Sequence, residues 1–175
     1  MHRKPTAFLF LLAILCASPA LGAQSASHRP EGSGVFGLGL VLGEPTGLSA
    51  NYWIRNDRSI DGELSFSFNN FFLIQSDYLF HFHGLFGTRE SFTQHLEPYL
   101  GIGGALFFNT ASSRTSSTYF TQSGSVGFGV RIPFGAEWMI PRSPFGVFAE
   151  LVPGLGLIPA TFGFLQGGIG ARFYF

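Results

Sequence analysis

From residue 36 onward the chain alternates with a period of two. Apolar side chains recur at every second position, and glycine or a polar residue stands between them. Phe36, Leu38, Leu40 and Leu42 share one parity, with Gly37, Gly39 and Gly43 on the other. Ile60, Leu64, Phe66 and Phe68 oppose Asp61, Glu63, Ser65 and Ser67, and Val126, Phe128, Val130 and Ile132 oppose Gly127, Gly129 and Arg131. Successive side chains of a strand point to opposite faces, so each such segment reads as a strand with one apolar face. The alternation predicts eight strands, near 36–42, 48–55, 60–68, 72–83, 99–109, 125–140, 147–157 and 165–175. Turn signals separate them at Pro45, Asn56-Asp57, Asn69-Asn70, Pro141 to Pro144 and Pro159, with longer loops over 84–94 and 111–122. Short links imply antiparallel neighbours, and an even strand number lets the sheet close on itself. Pro133 and Pro153 fall inside strands, where each removes a ladder hydrogen bond and predicts a bulge or bend.

Composition decides which face is outside. Only 11% of the residues are charged, against about 25% in an ordinary soluble domain. A soluble lipocalin-type barrel would turn its apolar face inward and its polar face to water. Here the polar parity is mostly glycine, a poor water-facing surface, whereas the Leu, Ile and Phe parity suits hydrocarbon. Strands of about ten residues match a tilted membrane crossing. The expected fold is therefore all-β, an eight-stranded antiparallel up-and-down transmembrane β-barrel. Tyr52, Tyr78, Phe80, Trp138, Phe173 and Phe175 fall toward one rim and Phe66, Phe68, Phe72 and Phe108 toward the other, which predicts two aromatic belts.

The first residues have a different character. Met1-His2-Arg3-Lys4 is basic, residues 7–16 are an apolar run, and small residues follow to Ala23. That is the layout of a cleaved secretory signal peptide. The expected organisation is a signal peptide over 1–23, a polar leader over 24–32 and the barrel over 33–175. The only cysteine, Cys16, and the only lysine, Lys4, lie in the signal. Beyond it there is no thiol for a disulfide or for thiolate chemistry. Arginines stand singly, so nucleic acid is not an expected partner.

The final residues, Gly170-Ala171-Arg172-Phe173-Tyr174-Phe175, resemble the C-terminal signal by which outer-membrane barrels are recognised, with Phe173 and Phe175 as its apolar positions. Residues 33–175 resemble the small eight-stranded outer-membrane proteins, a group that includes the OmpA barrel, OmpX and OmpW. Gly43 to Gly47, Gly129 to Gly135 and Phe148 to Gly154 are similar to an uncharacterised bacterial outer-membrane barrel family, which brings no assigned activity. The resemblance implies the outer membrane of a Gram-negative-type bacterium. It also implies contact with outer-membrane lipid and lipopolysaccharide, and insertion by the barrel assembly machinery, as a monomer. With the chain ends in the periplasm, the loop over 84–94 would also be periplasmic, although periplasmic turns are usually the short ones.

The inward parity carries the candidate site. Arg55, Glu63, Asp77, Arg131, Glu137, Glu150 and Arg172 all fall on it. A charge in a narrow barrel is costly unless paired, so a lumen charge network is expected. Arg131 with Glu150, and Arg172 with Asp77 or Glu63, are the pairings considered. Inward glycines would leave room for a solute path, while Trp53, Phe107, Phe148 and Tyr174 would fill it.

Other chemistry finds less support. Gly32 to Gly37 spells G-x-G-x-x-G but lacks the strand before it and the helix after it that dinucleotide binding needs. Asp77, His81 and His83 share a strand face but converge poorly as metal ligands, so neither a metal nor a cofactor is expected. For a hydrolase, Ser76, Asp77 and His81 are the nearby trio, with Ser76 on the lipid face and His81 in the lumen. The loop over 111–122 is Ser/Thr-rich and suits a solvated hairpin or a surface contact. The expected role is structural or interactive, with an ion-paired, largely closed lumen and no enzymatic activity. The alternatives are a narrow channel for ions or small solutes and, third, a lipid-modifying enzyme.

Overall fold

A computed structural model describes residues 34–68, 71–85, 93, 95–109 and 126–175. The signal, the leader, Asn69-Asn70, most of the 84–94 loop and the 111–122 loop lie outside the described residues. The chain forms β1 (Phe36–Glu44), β2 (Thr46–Arg55), β3 (Arg58–Ser67), β4 (Phe71–His81), β5 (Leu96–Asn109), β6 (Val126–Arg131), β7 (Phe134–Met139), β8 (Phe145–Ile158) and β9 (Phe162–Tyr174). All neighbours are antiparallel. β1 pairs with β9, Gly37 opposite Tyr174, so the sheet closes into a ring. Among the described residues no helix is long and apolar enough to cross a membrane, which says nothing about crossing by strands.

Nine segments make eight staves, because β6 and β7 are two halves of one. β6 and β7 both lie between β5 and β8, and the register does not change across the gap. Arg131 stands opposite Gly154 and Phe134 opposite Leu151, three residues on in each strand. The cause is the pair of prolines. Gly101 donates to the Pro133 carbonyl at 2.7 Å and Ile132 to the Pro153 carbonyl at 2.9 Å. In each case the reciprocal bond needs a proline N–H that does not exist. Two missing bonds fall side by side, and the ladder opens there without a slip. Pro153 itself stays inside β8, in register with Leu165.

The alternation is reproduced in the packing. Leu40, Leu42, Leu64, Leu165 and Ile169 face out, each about half exposed or more, while Val41, Leu73, Val152 and Tyr174 on the opposite parity are sealed. Aromatic rings collect at both rims. Phe36, Phe145, Phe173 and Phe175 contact one another where β1 begins and β9 ends, here termed the near rim, and Tyr78 meets Phe80 at the same level. Phe66, Phe72 and Phe108 form the matching group at the far rim. β2, β4 and β7 end at the near rim and β3, β5 and β8 begin there, the same end of the barrel as the start of β1.

Closure depends on a close approach at Gly39. A Cβ there would sit 1.9 Å from the Ala171 carbonyl oxygen, against backbone that cannot move without parting β1 from β9. Gly39→Ala is expected to destabilise the barrel by about 1–3 kcal/mol, the usual range for overpacking. Gly163→Ala, where a Cβ meets nothing within 4 Å, is the control and should leave stability unchanged. The unfolding midpoint read from heat-shifted gel mobility distinguishes the two.

Candidate functional site: the charged lumen

Two guanidiniums cross the barrel interior. Arg172 on β9 donates from Nε to Ser49 Oγ on β2 at 2.9 Å and from Nη2 to Asp61 Oδ1 on β3 at 2.7 Å. Its Nη1 lies 3.6 Å from Glu137 Oε2 on β7, and its Cζ sits 3.9 Å above the Phe148 ring on β8. Arg131 on β6 reaches Asp77 Oδ1 on β4 at 3.2 Å, Glu63 Oε2 on β3 at 3.6 Å and Glu150 Oε1 on β8 at 3.7 Å. Both arginines are 1% exposed. Arg172 is thus held by short hydrogen bonds, whereas Arg131 makes longer ion pairs.

Neutral donors complete the acids. Gln75 Nε2 donates to Glu63 at 3.1 Å and to Ser65 at 3.0 Å. Tyr99 donates to Glu150 at 3.1 Å, and Tyr174 to Glu137 at 2.7 Å. Charge-assisted bonds of this kind are the strong ones in a poorly hydrated space.

The lumen is layered along its axis. Toward the near rim lie Trp53, Met139 and Tyr174, with His81 against Trp53 at 4.1 Å between ring centres. The two arginines occupy the middle. Toward the far rim Phe71, Leu73, Ala105 and Phe107 pack together with Phe164. Large neighbours occupy the space beside several inward glycines. A Cβ at Gly154 would strike the Phe164 ring at 2.1 Å, and one at Gly170 the Phe148 ring at 2.3 Å. Gly103 likewise lies under the Asp77 carboxylate and Gly146 under that of Glu137.

Of the seven residues read as the network, Glu63, Asp77, Arg131, Glu137, Glu150 and Arg172 meet in the lumen. Arg55 does not. The register shifts between Trp53 and Arg55, and this bulge leaves Ile54 and Arg55 both exposed, with Arg55 opposite Arg58. The pairings also differ in part. Arg131 does meet Glu150, but Arg172 takes Asp61 and Glu137 rather than Asp77 or Glu63, because strand tilt sets which residues share a level. Asp61 was visible as an inward acid, but parity alone did not single it out. Phe173 and Phe175 stand on the outer surface in the near-rim ring group.

The histidines have other partners than the Ser76 trio. Ser76 is exposed, and His81 is buried. It is Ser59 that lies 2.8 Å from His81 Nε2, held in turn by Asn51 at 3.0 Å. His81 Nδ1 is 3.9 Å from Glu97 Oε2. His83, at the near mouth, meets the other Glu97 oxygen at 3.3 Å and the Asn56 carbonyl at 2.5 Å. Register across β3, β4 and β5 makes this grouping, which spacing along the chain does not reveal. Among the described residues no group of three or more His, Cys, Asp or Glu side chains is arranged to hold a metal ion.

A family model described as "Protein of unknown function (DUF3996)" matches residues 29–173. The chain belongs to that family. No curated protein matches it. Among solved structures it is similar to the N-terminal β-barrel domain of Pseudomonas aeruginosa OprF, at 21% identity over 82% of this chain and 99% of that one, with a TM-score of 0.61. It is also similar to a de novo designed transmembrane β-barrel, at 14% identity over 84% of this chain and all of that one (100%), with a TM-score of 0.50. The likeness is one of fold, and the fold is that of small transmembrane barrels.

Two outcomes follow from this geometry. Arg172→Ala strands Asp61 and Glu137 in the lumen without a counter-charge and should cost about 3–5 kcal/mol, measured by urea unfolding of the refolded protein, while Arg55→Ala leaves the midpoint unchanged. The Glu97 carboxylate beside His83 raises the histidine above its ordinary pKa, which is about 6.5. Its contribution to stability is therefore whole below pH 6.5 and is lost as pH rises through the raised value. His83→Gln should remove that component from the pH–stability curve.

Proposed function

We propose that the protein is an integral barrel of the outer membrane of a Gram-negative-type bacterium, with a structural or interaction role and a lumen closed by an ion-paired plug. The observation that carries this reading is the pair of arginines, each 1% exposed and tied to acids on facing strands. An exposed apolar wall between two aromatic belts supports the location. Its ring of paired strands leaves no free edge along β1 and β9, which supports a monomer. Its partners are then membrane lipid and lipopolysaccharide around the wall, and during insertion the barrel assembly machinery, reading Phe173 and Phe175.

The non-enzymatic reading draws on the same burial. Ser59, His81 and Glu97 stand in the order of a nucleophile, a base and an acid. Ser59 is fully buried, however, and the His81–Glu97 separation of 3.9 Å exceeds a hydrogen bond. An ester or amide has no approach to that hydroxyl.

The long Arg131 contacts favour the narrow channel as the second reading. Single-channel recording in a planar bilayer decides between them, using only material with the heat-shifted mobility of a closed barrel. Wild type should be silent, with openings in Arg131→Ala or Glu150→Ala. Discrete steps in wild type that change in those variants would establish the channel instead.

A further inference from the structure

Charge does not balance inside the barrel. Among the described residues the lumen holds six carboxylates, Asp61, Glu63, Asp77, Glu97, Glu137 and Glu150, against two guanidiniums, Arg131 and Arg172. Four acids are left without a guanidinium of their own, or three if a charged His83 answers Glu97. Two acid pairs also stand directly opposite each other across the ladder, Asp61 with Asp77 and Glu97 with Glu137. Like charges in that position repel. The other titratable side chains facing the network are His81 on β4, Tyr99 on β5 and Tyr174 on β9. The inward positions of β1 and β2 are neutral: Gly37, Gly39 and Val41, then Ser49, Asn51 and Trp53. A carboxylate sealed from water without a counter-cation takes a proton in preference to carrying its charge.

A titratable path leads from this interior to the near mouth. The His83 side chain is 29% exposed, and its Nδ1 lies 3.3 Å from Glu97 Oε1. Glu97 Oε2 faces His81 Nδ1 at 3.9 Å, and neither of these two buried atoms has a hydrogen-bond partner. His81 Nε2 then meets Ser59. These two unpartnered atoms face each other beyond hydrogen-bond reach, and Glu97 stands in register with Glu137 of the Arg172 group.

We propose that the closed lumen is a proton store, which takes up protons from bulk water as the barrel closes and exchanges them through the His83–Glu97 contact at the near mouth. It rests on the closed-lumen reading above. The folded state binds more protons than the unfolded one, so stability falls as pH rises. Each retained proton lowers the folding equilibrium constant about tenfold per pH unit.

The test is infrared spectroscopy of the full refolded protein in phosphatidylcholine vesicles at pH 7. A carbonyl stretch of protonated carboxylic acid should be present in the folded barrel and vanish on unfolding. Between pH 7 and 9 the folding constant of His83→Gln should still fall at least tenfold per unit, which removes the contribution of the mouth histidine itself. The hydrogen–deuterium shift of the band should be slower in His83→Gln than in wild type. Absence of the band in a barrel that is silent in the bilayer would overturn the store and leave the plug standing. An exchange rate unaltered in His83→Gln would overturn the path. A conducting wild type would overturn the closed lumen on which both rest.

Discussion

The interior of this barrel is organised by two guanidiniums, each 1% exposed. Each finds acceptors on strands beyond its ladder neighbours, and in doing so it spans the lumen. Arg172 links β9 to β2, β3, β7 and β8, and Arg131 links β6 to β3, β4 and β8. Hydrogen bonds between adjacent strands close the wall, but they do not fix what lies across it. A buried ion pair gains little over a well-packed apolar one, yet breaking it is costly. That asymmetry suits a structure that must hold one cross-section.

Size complementarity fills the space between the charges. The lumen places a glycine beside each of several rings and carboxylates, so that Phe164 covers Gly154, Phe148 covers Gly170 and Asp77 covers Gly103. The Phe148 ring that rests on Gly170 in turn carries the Arg172 guanidinium. Packing and electrostatics are therefore not separable here, because the ring that fills a glycine seat is also the platform for a charge.

Parity carried most of the fold and part of the site. The eight staves, the outward Leu and Phe surface and the inward set Glu63, Asp77, Arg131, Glu137, Glu150 and Arg172 all follow from a period of two, which local backbone geometry imposes. What parity cannot carry is height. Which acid stands level with Arg172 depends on strand tilt and stagger, so Asp61 emerged as its partner only in three dimensions. Ser59 with His81 is of the same kind, a diagonal pairing between adjacent strands in which Ser59 stands opposite Leu79. Arg55 failed for another reason, since one bulge after Trp53 is enough to turn a following side chain out of the lumen. Parity likewise does not reveal that the Phe164 and Phe148 rings lie over Gly154 and Gly170.

The two prolines, Pro133 and Pro153, interrupt the ladder on the two sides of one stave. At Ile132 and Pro133 the stave is held on each side by one ladder bond where two would normally act. The segments 126–131 and 134–139 therefore behave as two panels joined by a crease at mid-height. The crease begins one residue after Arg131, so the break in the ladder adjoins the more loosely held of the two charges.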